Sequence, residues 1–435
     1  MKKIQVSIVA AIVLISLLIR LHNYDIYPQR GASSDEYTYA FLGVSLITKH
    51  IPISWSAFPE YKNRQNLTIK NLYFPIVYPY FDHPPLNGLL TGGWAVLNGE
   101  DTFPKIELKT VRLVPIFLSV LSSILVFLIA LRLYNYKTAI WALLIYSTAT
   151  SFVMNGRVVF AENLMTPLIL GTIYLFSSFR KNMNLKKAII LGALCGLAFL
   201  TKILGVSIFL TILYLFLEEK IKTKYVITLC IIFLLFALSF VAYGKFYDMD
   251  LFWKIFFDQS GRETGPQSIW FLMSNPIIVN KVYYDGWYLF GILSIFFAFS
   301  DYVKNKLIII PFFAYFTLLI LSITGGNAMG SYMLPLFPFM AIASARLVTE
   351  SLEKESWFVF VMLFFVGMPA IKYLYADTFG LTPMQFRILT LLMFGPFILL
   401  LLTRKNKWFK KLGNAWFYIL ILGSAVASYT YIHPA

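Results

Sequence analysis

The sequence predicts an all-α polytopic integral membrane protein with about thirteen transmembrane helices. Of its 435 residues, 59% are hydrophobic and only 13% are charged, and the mean hydropathy is +0.71. A soluble protein carries roughly 25% charged residues. The apolar residues fall in long runs, without the periodicity of half-buried strands or amphipathic helices. These observations exclude the soluble globular, disordered, coiled-coil and collagen classes.

The predicted spans follow from the length of each apolar run. A membrane helix needs roughly 20 mostly apolar residues, with about 17 as a practical minimum. The first span is interpreted as a membrane anchor, because no small-residue cleavage site of a signal peptide follows it. The spans are predicted at residues 4–20, 111–131, 138–155, 162–178, 186–200, 203–217, 225–243, 287–300, 307–323, 332–347, 356–375, 384–402 and 414–432.

Basic residues set the orientation of these spans. With Lys2 and Lys3 in the cytoplasm, the lysine and arginine clusters between alternate spans all fall on that same side, as the positive-inside rule requires. The N-terminus is therefore predicted inside and the C-terminus outside. The apolar stretch Pro85–Gly99 is only about 14 residues long, and counting it as a span would reverse every later connector. It is predicted to be an interfacial or re-entrant segment.

Two large connectors then lie outside the cytoplasm. Residues 21–110 are polar, aromatic and interrupted by prolines, and a surface-lying helix is predicted near Asp35–His50. Residues 244–286 mix aromatic with charged side chains. We therefore divide the chain into a first transmembrane module at 1–243 that includes the outer loop 21–110, a second outer loop at 244–286, and a C-terminal transmembrane module at 287–435.

Ionisable residues gather at the outer ends of the spans or in the outer loops. Such residues are costly near a membrane and are candidates for function. A secondary transporter places its binding groups at the bilayer midplane, whereas this distribution predicts a site at one interface. The residues are Asp35, Glu36, Asp82, His83, Arg157, Glu162, Lys202 and Arg262.

The acidic candidates each have a structural alternative. Asp35 and Glu36 follow Ser33-Ser34, so they could simply begin a helix and complement its dipole. Asp82-His83 stands before two prolines, in what could be an ordinary stiff surface turn. The pair could also ligate a divalent metal cation, although two adjacent ligands do not define a metal site.

The cationic candidates are weighed in the same way. Arg157 and Glu162 could form an ion pair that caps a helix junction. Lys202 lies between two spans on the face that the positive-inside rule disfavours, where a phosphate is the natural partner of a cation. Arg262 is either a second phosphate ligand or a solvated loop charge. Tyr332 could donate a hydrogen bond to the same anion or belong to the interfacial aromatic belt.

Other site classes are excluded by composition. The net charge of +16 is spread over short clusters, and no contiguous basic face with interleaved aromatics marks a nucleic-acid partner. Cys195 and Cys230 both lie within apolar runs, which excludes a disulfide framework and a cysteine-rich zinc site.

Several pieces of the chain resemble the C-type (GT-C) membrane glycosyltransferases, closest to the aminoarabinose lipid A transferases and the protein O-mannosyltransferase-like family. They occur in the family's order and cover about residues 1–350. The matching pieces are Asp35-Glu36-x-x-Tyr39, Asp82-His83-Pro84-Pro85-Leu86, the Arg157 to Glu162 region, Gly196-Leu197-Ala198-x-Leu200-Thr201-Lys202 and Tyr332-x-Leu334-Pro335-x-x-Pro338.

The resemblance implies a GT-C fold and the transfer of a sugar from a polyprenyl-phosphate-linked donor to an acceptor outside the cytoplasm. Inverting displacement follows from the residues, because one base carboxylate, Asp35, and a cationic pocket of Lys202 and Arg262 are enough for it. The acceptor could be lipid A, another glycan or a protein hydroxyl, and membrane lipids surround the protein. Module 1–243 would be catalytic, in the plasma or inner membrane, with its site facing the periplasm or exterior.

The resemblance also implies roles for individual residues. Asp35 and Glu36 would be catalytic, whereas Asp82, His83 and Glu162 would lie near the acceptor or near a divalent metal, for which Asp82 and His83 are the candidate ligands. His83 replaces the lysine that some members have, so the donor sugar stays open. The residues that would bind the donor and its phosphate are Lys202, Arg262, Arg157, Tyr332 and Tyr39.

Two other functions are compatible with a polytopic membrane protein. A lipid-linked sugar flippase needs polar residues along the interior of the helix bundle, which the predicted spans lack. A non-catalytic assembly factor has no need for acids and cations on one face.

The predicted topology can be tested by cysteine accessibility. After Cys195 and Cys230 are replaced, single cysteines at Asn63 and Gln267 should react with a membrane-impermeant thiol reagent in intact cells, because both outer loops face the exterior. Protection of both positions, with labelling only after permeabilisation, would contradict the predicted orientation and the shared outer face.

Overall fold

Helices make up nearly all of the regular structure, as the sequence predicts. The computed structural model describes residues 3–31, 33–260, 267, 269, 272, 285–322, 330–354, 358–367, 380–403 and 406–431. The helices are α1 (Lys3–Leu21), α2 (Asp35–Lys49), α3 (Leu86–Leu97), α4 (Leu108–Val111), α5 (Leu113–Leu133), α6 (Tyr136–Thr148), α7 (Thr150–Asn155), α8 (Ala161–Phe179), α9 (Leu185–Thr201), α10 (Val206–Glu218), α11 (Thr223–Tyr247), α12 (Met249–Ser260), α13 (Gly286–Ala298), α14 (Tyr302–Ser322), α15 (Phe337–Glu353), α16 (Phe358–Met362), α17 (Pro383–Thr403) and α18 (Asn406–Tyr429).

Each of the predicted spans coincides with helix in the part of the chain that the structure describes. The span predicted at 138–155 is broken at Ala149, whose extended backbone separates α6 from α7. The span predicted at 332–347 begins as a 3₁₀ helix over Gly330–Leu336 and continues as α15. Of the span predicted at 356–375, residues 358–367 are described, as α16 and a π-helical turn.

The number of helices does not by itself give the number of membrane crossings. Among the described residues, six helical segments are long and apolar enough to cross a membrane by length and composition. Several other helices are shorter than 18 residues, among them α9 and α10. The all-α polytopic fold is thus confirmed, and the count of thirteen spans stays a prediction.

The C-terminal helix α18 packs against the N-terminal half of the chain. The indole of Trp141 on α6 meets the ring of Phe417 edge-on, with the ring centroids 4.1 Å apart. Ser428 Oγ donates a 2.7 Å hydrogen bond to the carbonyl oxygen of Thr148. The last helix is therefore part of the same bundle as the first predicted module.

A small antiparallel sheet lies in the outer loop, where the sequence predicted only helix and irregular chain. Its strands β1 (Ser54–Trp55), β2 (Arg64–Ile69) and β3 (Leu72–Val77) lie in the order β1-β3-β2. Lys70 and Asn71 join β2 to β3 with φ values of 55° and 65°, which is the backbone of a type I′ hairpin turn. Asn71 suits this conformation, whereas Lys70 gives no such sequence signal.

The helix predicted near Asp35–His50 is confirmed as α2, and it packs closely against α3. An added Cβ on Gly43 would lie 1.8 Å from the carbonyl oxygen of Gly88, and one on Gly92 would lie 2.3 Å from the amide nitrogen of Val44. Only glycine allows the two backbones to come this close. Helix α3 is the stretch predicted to be interfacial, and its Leu97 remains 82% exposed.

Replacing Gly92 by alanine should therefore destabilise the outer region. The new methyl group meets backbone atoms that cannot rotate away, so the cost should be at least the ~1–3 kcal/mol typical of overpacking. Unfolding in detergent, followed by circular dichroism, measures the change. Gly171→Ala on α8 is the matched control, because no atom lies within 4 Å of its added Cβ. Equal stability of the two variants would contradict the close packing of α2 on α3.

Candidate active site

The first turn of α2 carries two carboxylates with different surroundings. The Glu36 carboxylate is completely buried and accepts hydrogen bonds from both Arg112 Nε (2.9 Å) and Arg112 Nη2 (2.7 Å). The backbone N–H of Val159 donates a further hydrogen bond of 3.1 Å to Glu36 Oε1. Arg112 Nη1 donates to the carbonyl oxygen of Tyr24 at 2.8 Å. Glu36 thus ties α2 to the start of α5 and to the segment after α7, and Arg112 links this pair to the segment after α1.

Asp35 lies beside Glu36 but is only partly buried. Successive residues of a helix point about 100° apart, so the two side chains face different surroundings. Burial is the largest cause that raises the pKa of Tyr39 and of Tyr80, and the charge of Asp35 adds to that effect. The charge of Asp35 also acts on Lys202, where it raises the pKa together with Glu162 and Tyr332 against the effect of burial. Asp35 is therefore the acid of this pair that lies at the site.

Lys202 follows the last residue of α9 and pairs with Glu162 in the first turn of α8. Its ammonium donates a 2.5 Å hydrogen bond to Glu162 Oε1 and lies 4.2 Å from the centre of the Tyr332 ring. Burial alone would lower the pKa of Lys202, but Glu162, Tyr332 and Asp35 outweigh burial and raise it. The ammonium therefore stays charged at neutral pH.

Asp82 is held by hydroxyl groups of the outer loop. Its Oδ2 accepts a 2.6 Å hydrogen bond from Ser56 Oγ, and its Oδ1 accepts a 2.8 Å bond from the Tyr61 hydroxyl. Burial, followed by the Asp82 charge, raises the pKa of Tyr61, so the phenol remains a donor. The Asp82 carbonyl oxygen accepts a 2.6 Å bond from Gln259 on α12, which joins the two outer loops.

Tyr39 interacts with His83 and with the charged residues of the site. Its ring stacks on the His83 imidazole, with the centroids 5.2 Å apart and the planes inclined by 24°. Burial, and then Glu162, Asp35 and Tyr332, raise its pKa. Of the predicted site residues, the structure brings together Asp35, Tyr39, Asp82, His83, Glu162, Lys202 and Tyr332, all at the end of the bundle that carries the outer loops.

Arg157 lies elsewhere and does not pair with Glu162. Its Nη2 donates a 2.5 Å hydrogen bond to the carbonyl oxygen of Ile19, and its Nη1 contacts the sulfur of Met154 at 3.4 Å. Burial, and then the charges of Arg20 and Arg112, lower its pKa to about 9. The Arg157–Glu162 pair considered from the sequence is wrong, because Glu162 pairs with Lys202. Arg262 lies outside the described residues.

Two buried arginines were missed by the sequence analysis. Besides Arg112, Arg20 at the outer end of α1 is fully buried and donates to Ser16 Oγ (2.6 Å), to Ser119 Oγ (2.8 Å) and to the carbonyl oxygens of Tyr146 and Ser147. The sequence carried a signal for both arginines, because each stands at the end of a span that is predicted to face outward, where the positive-inside rule disfavours cations.

The predicted divalent metal has few ligands to hold it. No group of three His, Cys, Asp or Glu side chains is placed to bind a metal ion within the described parts of the chain. Both carboxylate oxygens of Asp82 already accept hydrogen bonds. Among the described residues, Asp82 and His83 therefore lack a third side chain of these types to complete a metal site.

Comparison with known proteins points to one fold. Residues 82–243 match the model of the dolichyl-phosphate-mannose-protein mannosyltransferase family. The chain also resembles the crystal structure of ArnT from Cupriavidus metallidurans in the apo state, with 14% identity, a TM-score of 0.57 and coverage of 98% of this chain and 76% of that one. The resemblance to the GT-C membrane glycosyltransferases is confirmed. The GT-C fold thus extends over almost the whole chain.

Two further structures support this fold. ArnT from Cupriavidus metallidurans bound to undecaprenyl phosphate has a TM-score of 0.59 at 14% identity, with 99% of this chain and 77% of that chain covered. The archaeal oligosaccharyltransferase AglB from Archaeoglobus fulgidus, in complex with an inhibitory peptide and a dolichol-phosphate, has a TM-score of 0.53 at 12% identity, covering 100% of this chain and 57% of that one. No curated protein matches the sequence significantly.

The matched family segment and the site overlap in part. Asp82, His83, Glu162 and Lys202 all lie within residues 82–243, whereas Asp35 precedes this segment. The GT-C fold brings Asp35 to the same site through α2. Together, the comparisons show that the chain has the fold of these membrane proteins and that residues 82–243 resemble the mannosyltransferase family model.

The Glu36–Arg112 pair predicts a double-mutant effect on stability. Glu36→Leu leaves Arg112 buried without its carboxylate and should cost about 3–5 kcal/mol, whereas the double variant Glu36→Leu/Arg112→Met removes both charges and should recover a large part of that loss. Thermal unfolding in detergent measures both, with Lys105→Met as the control, because Lys105 pairs with Asp101 in an exposed position. A double variant no more stable than the single one would show that the two charges are not coupled.

Proposed function

We propose that the protein transfers a sugar from a polyprenyl-phosphate-linked donor to a hydroxyl acceptor by inverting displacement, on the extracytoplasmic face of a cell membrane. The observation that carries this proposal is the convergence of the Asp35 carboxylate, the Lys202–Glu162 pair and the tyrosines Tyr39 and Tyr332 at one end of the bundle. The basic clusters on the opposite side of the predicted spans support the outer location.

Lys202 binds the phosphate of the donor in this proposal. An ammonium has three N–H donors, so it can hold a phosphate oxygen while it remains bonded to Glu162. The Tyr332 ring below the ammonium adds a cation–π contact and keeps the cation in place. Lys202 lies at the junction of two apolar helices, α9 and α10, so the prenyl chain can stay in the membrane while its phosphate reaches the ammonium.

Asp35 acts as the general base. The acceptor oxygen attacks the anomeric carbon, and its proton passes to the Asp35 carboxylate. The bond from the anomeric carbon to the phosphate oxygen breaks, and its electron pair stays with the phosphate, which Lys202 stabilises. Because the leaving group is a stable anion, it needs a cation and no acid. One carboxylate and one cation are thus enough for direct displacement through an oxocarbenium-like state.

In this proposal the remaining site residues surround the sugar. Tyr39 and His83 form an aromatic surface, and Asp82, fixed by Ser56 and Tyr61, holds the turn that carries His83. Glu36 supports α2 and does not face the reaction. The acceptor is a hydroxyl of lipid A, another glycan or a protein, and the nature of the sugar is left open by these residues.

Asp35→Asn should abolish transfer while the protein still folds and binds its donor. The amide has nearly the same shape but cannot accept a proton effectively, and the loss of a positioned base typically costs about 100- to 10,000-fold in rate. The assay is transfer of radiolabelled sugar from membranes that contain lipid-linked sugars, with mass analysis of glycolipids and glycoproteins to identify the acceptor.

The control is Asp101→Asn, which removes an exposed carboxylate of the same outer loop and should keep full turnover. If Asp35→Asn retains more than about a tenth of wild-type turnover, Asp35 is not the base. Transport of the lipid-linked sugar across vesicles without any transfer would instead identify a flippase.

A further inference from the structure

Among the described residues, Glu162 is the only carboxylate that forms an ion pair with the Lys202 ammonium. This ion pair affects the release of the product. This inference rests on the proposed function, in which Lys202 also binds the donor phosphate. A single ammonium then serves two anions at once, the fixed carboxylate of Glu162 and the phosphate. The carboxylate keeps the buried ammonium charged and in place, and it also brings a fixed negative charge close to the bound phosphate.

The charge on the phosphate changes during the reaction. In the donor the phosphate is a diester and carries one negative charge. When the bond to the anomeric carbon breaks, the electron pair stays on the phosphate oxygen and the product is a monoester. A phosphate monoester has a second pKa near 6 and carries about −1.5 to −2 charges at pH 7. The added charge develops on the phosphate that Lys202 holds, and therefore close to Glu162.

Glu162 cannot move away from this added charge. Its side chain is 1% exposed and stands in the first turn of α8, where a helix N-terminus favours a carboxylate. Its charge acts on Tyr39 and on Tyr315, and both of these tyrosines are buried. With water excluded, repulsion between two anions is only weakly screened.

We propose that Glu162 is a positioning residue that holds the Lys202 ammonium and selectively weakens binding of the dianionic polyprenyl phosphate product. The carboxylate repels the monoester more strongly than the diester, so the site favours the donor over the product. Glu162 thereby speeds product release and reduces product inhibition, at the cost of a lower affinity for both ligands.

The experiment compares binding of two probes that share a prenyl chain. Undecaprenyl phosphate is the monoester, and undecaprenyl methyl phosphate is a diester with one fixed charge. Their dissociation constants are measured by calorimetry in detergent at pH 8, for wild type, Glu162→Gln and Glu162→Asp. Glu107→Gln is the matched control, because Glu107 also pairs with a lysine, Lys70, at 2.7 Å but in the sheet region.

In Glu162→Gln the monoester should gain about three- to tenfold more affinity than the diester, while Glu162→Asp and Glu107→Gln keep the wild-type ratio. At pH 5.5 the monoester carries mostly one charge, and the difference between wild type and Glu162→Gln should largely disappear. In the transfer assay, product inhibition should become stronger in Glu162→Gln.

An equal change for both probes in Glu162→Gln would overturn the selective role, and so would the same shift of the ratio in Glu107→Gln. In either case both probes still bind to the protein, and the proposed function stands. If neither probe binds to wild type or to any variant, the proposed function fails together with this inference.

Discussion

The buried ion pair between Glu36 and Arg112 is the contact on which the outer region depends. Two charges without exposure to water are stable only when their hydrogen-bonding capacity is used, and here the carboxylate accepts three hydrogen bonds, two from Arg112 and one from Val159. The pair fixes the first turn of α2 against the start of α5. Asp35 is part of that turn, so its position relative to the bundle is set by its neighbour in the chain.

The charged residues in and around the site differ in how deeply they are buried. Glu36 and Arg112 are enclosed and serve the architecture, whereas Asp35 is only partly buried, where a substrate can reach it. Lys202 and Glu162 lie between these extremes, with side chains 13% and 1% exposed. The adjacent acids Asp35 and Glu36 thus have different surroundings, and in the proposed function only Asp35 reacts.

The sequence predicted the helices and most of the side chains that the structure brings together at one end of the bundle, for identifiable physical reasons. Long apolar runs can form little except helices in a membrane, and cations on the disfavoured side, such as Lys202, mark candidate sites. The three-stranded sheet was missed because its strands are short and one turn begins with Lys70. The partners of each acid were also beyond prediction, because Glu36 and Arg112 are 76 residues apart and meet only through the packing of α2.

The same limit applies to the cations. Arg157 and Lys202 carry equal charges at the outer ends of spans, and nothing in the local sequence distinguishes them. Packing does so, because Arg157 contacts Ile19 and Met154 whereas Lys202 meets Glu162 and Tyr332. A fold comparison at 14% identity supports the architecture but does not assign these side chains.

The most direct test of the account is an electron cryo-microscopy structure of the protein with undecaprenyl methyl phosphate in a lipid nanodisc. The account predicts phosphate density within hydrogen-bond distance of Lys202 Nζ, about 2.7–3.2 Å from nitrogen to oxygen, with the prenyl chain entering from the membrane and the Asp35 carboxylate across the cavity from the phosphate. Phosphate bound at Arg157 and Arg20, with the Lys202–Glu162 pair unchanged and unliganded, would contradict it.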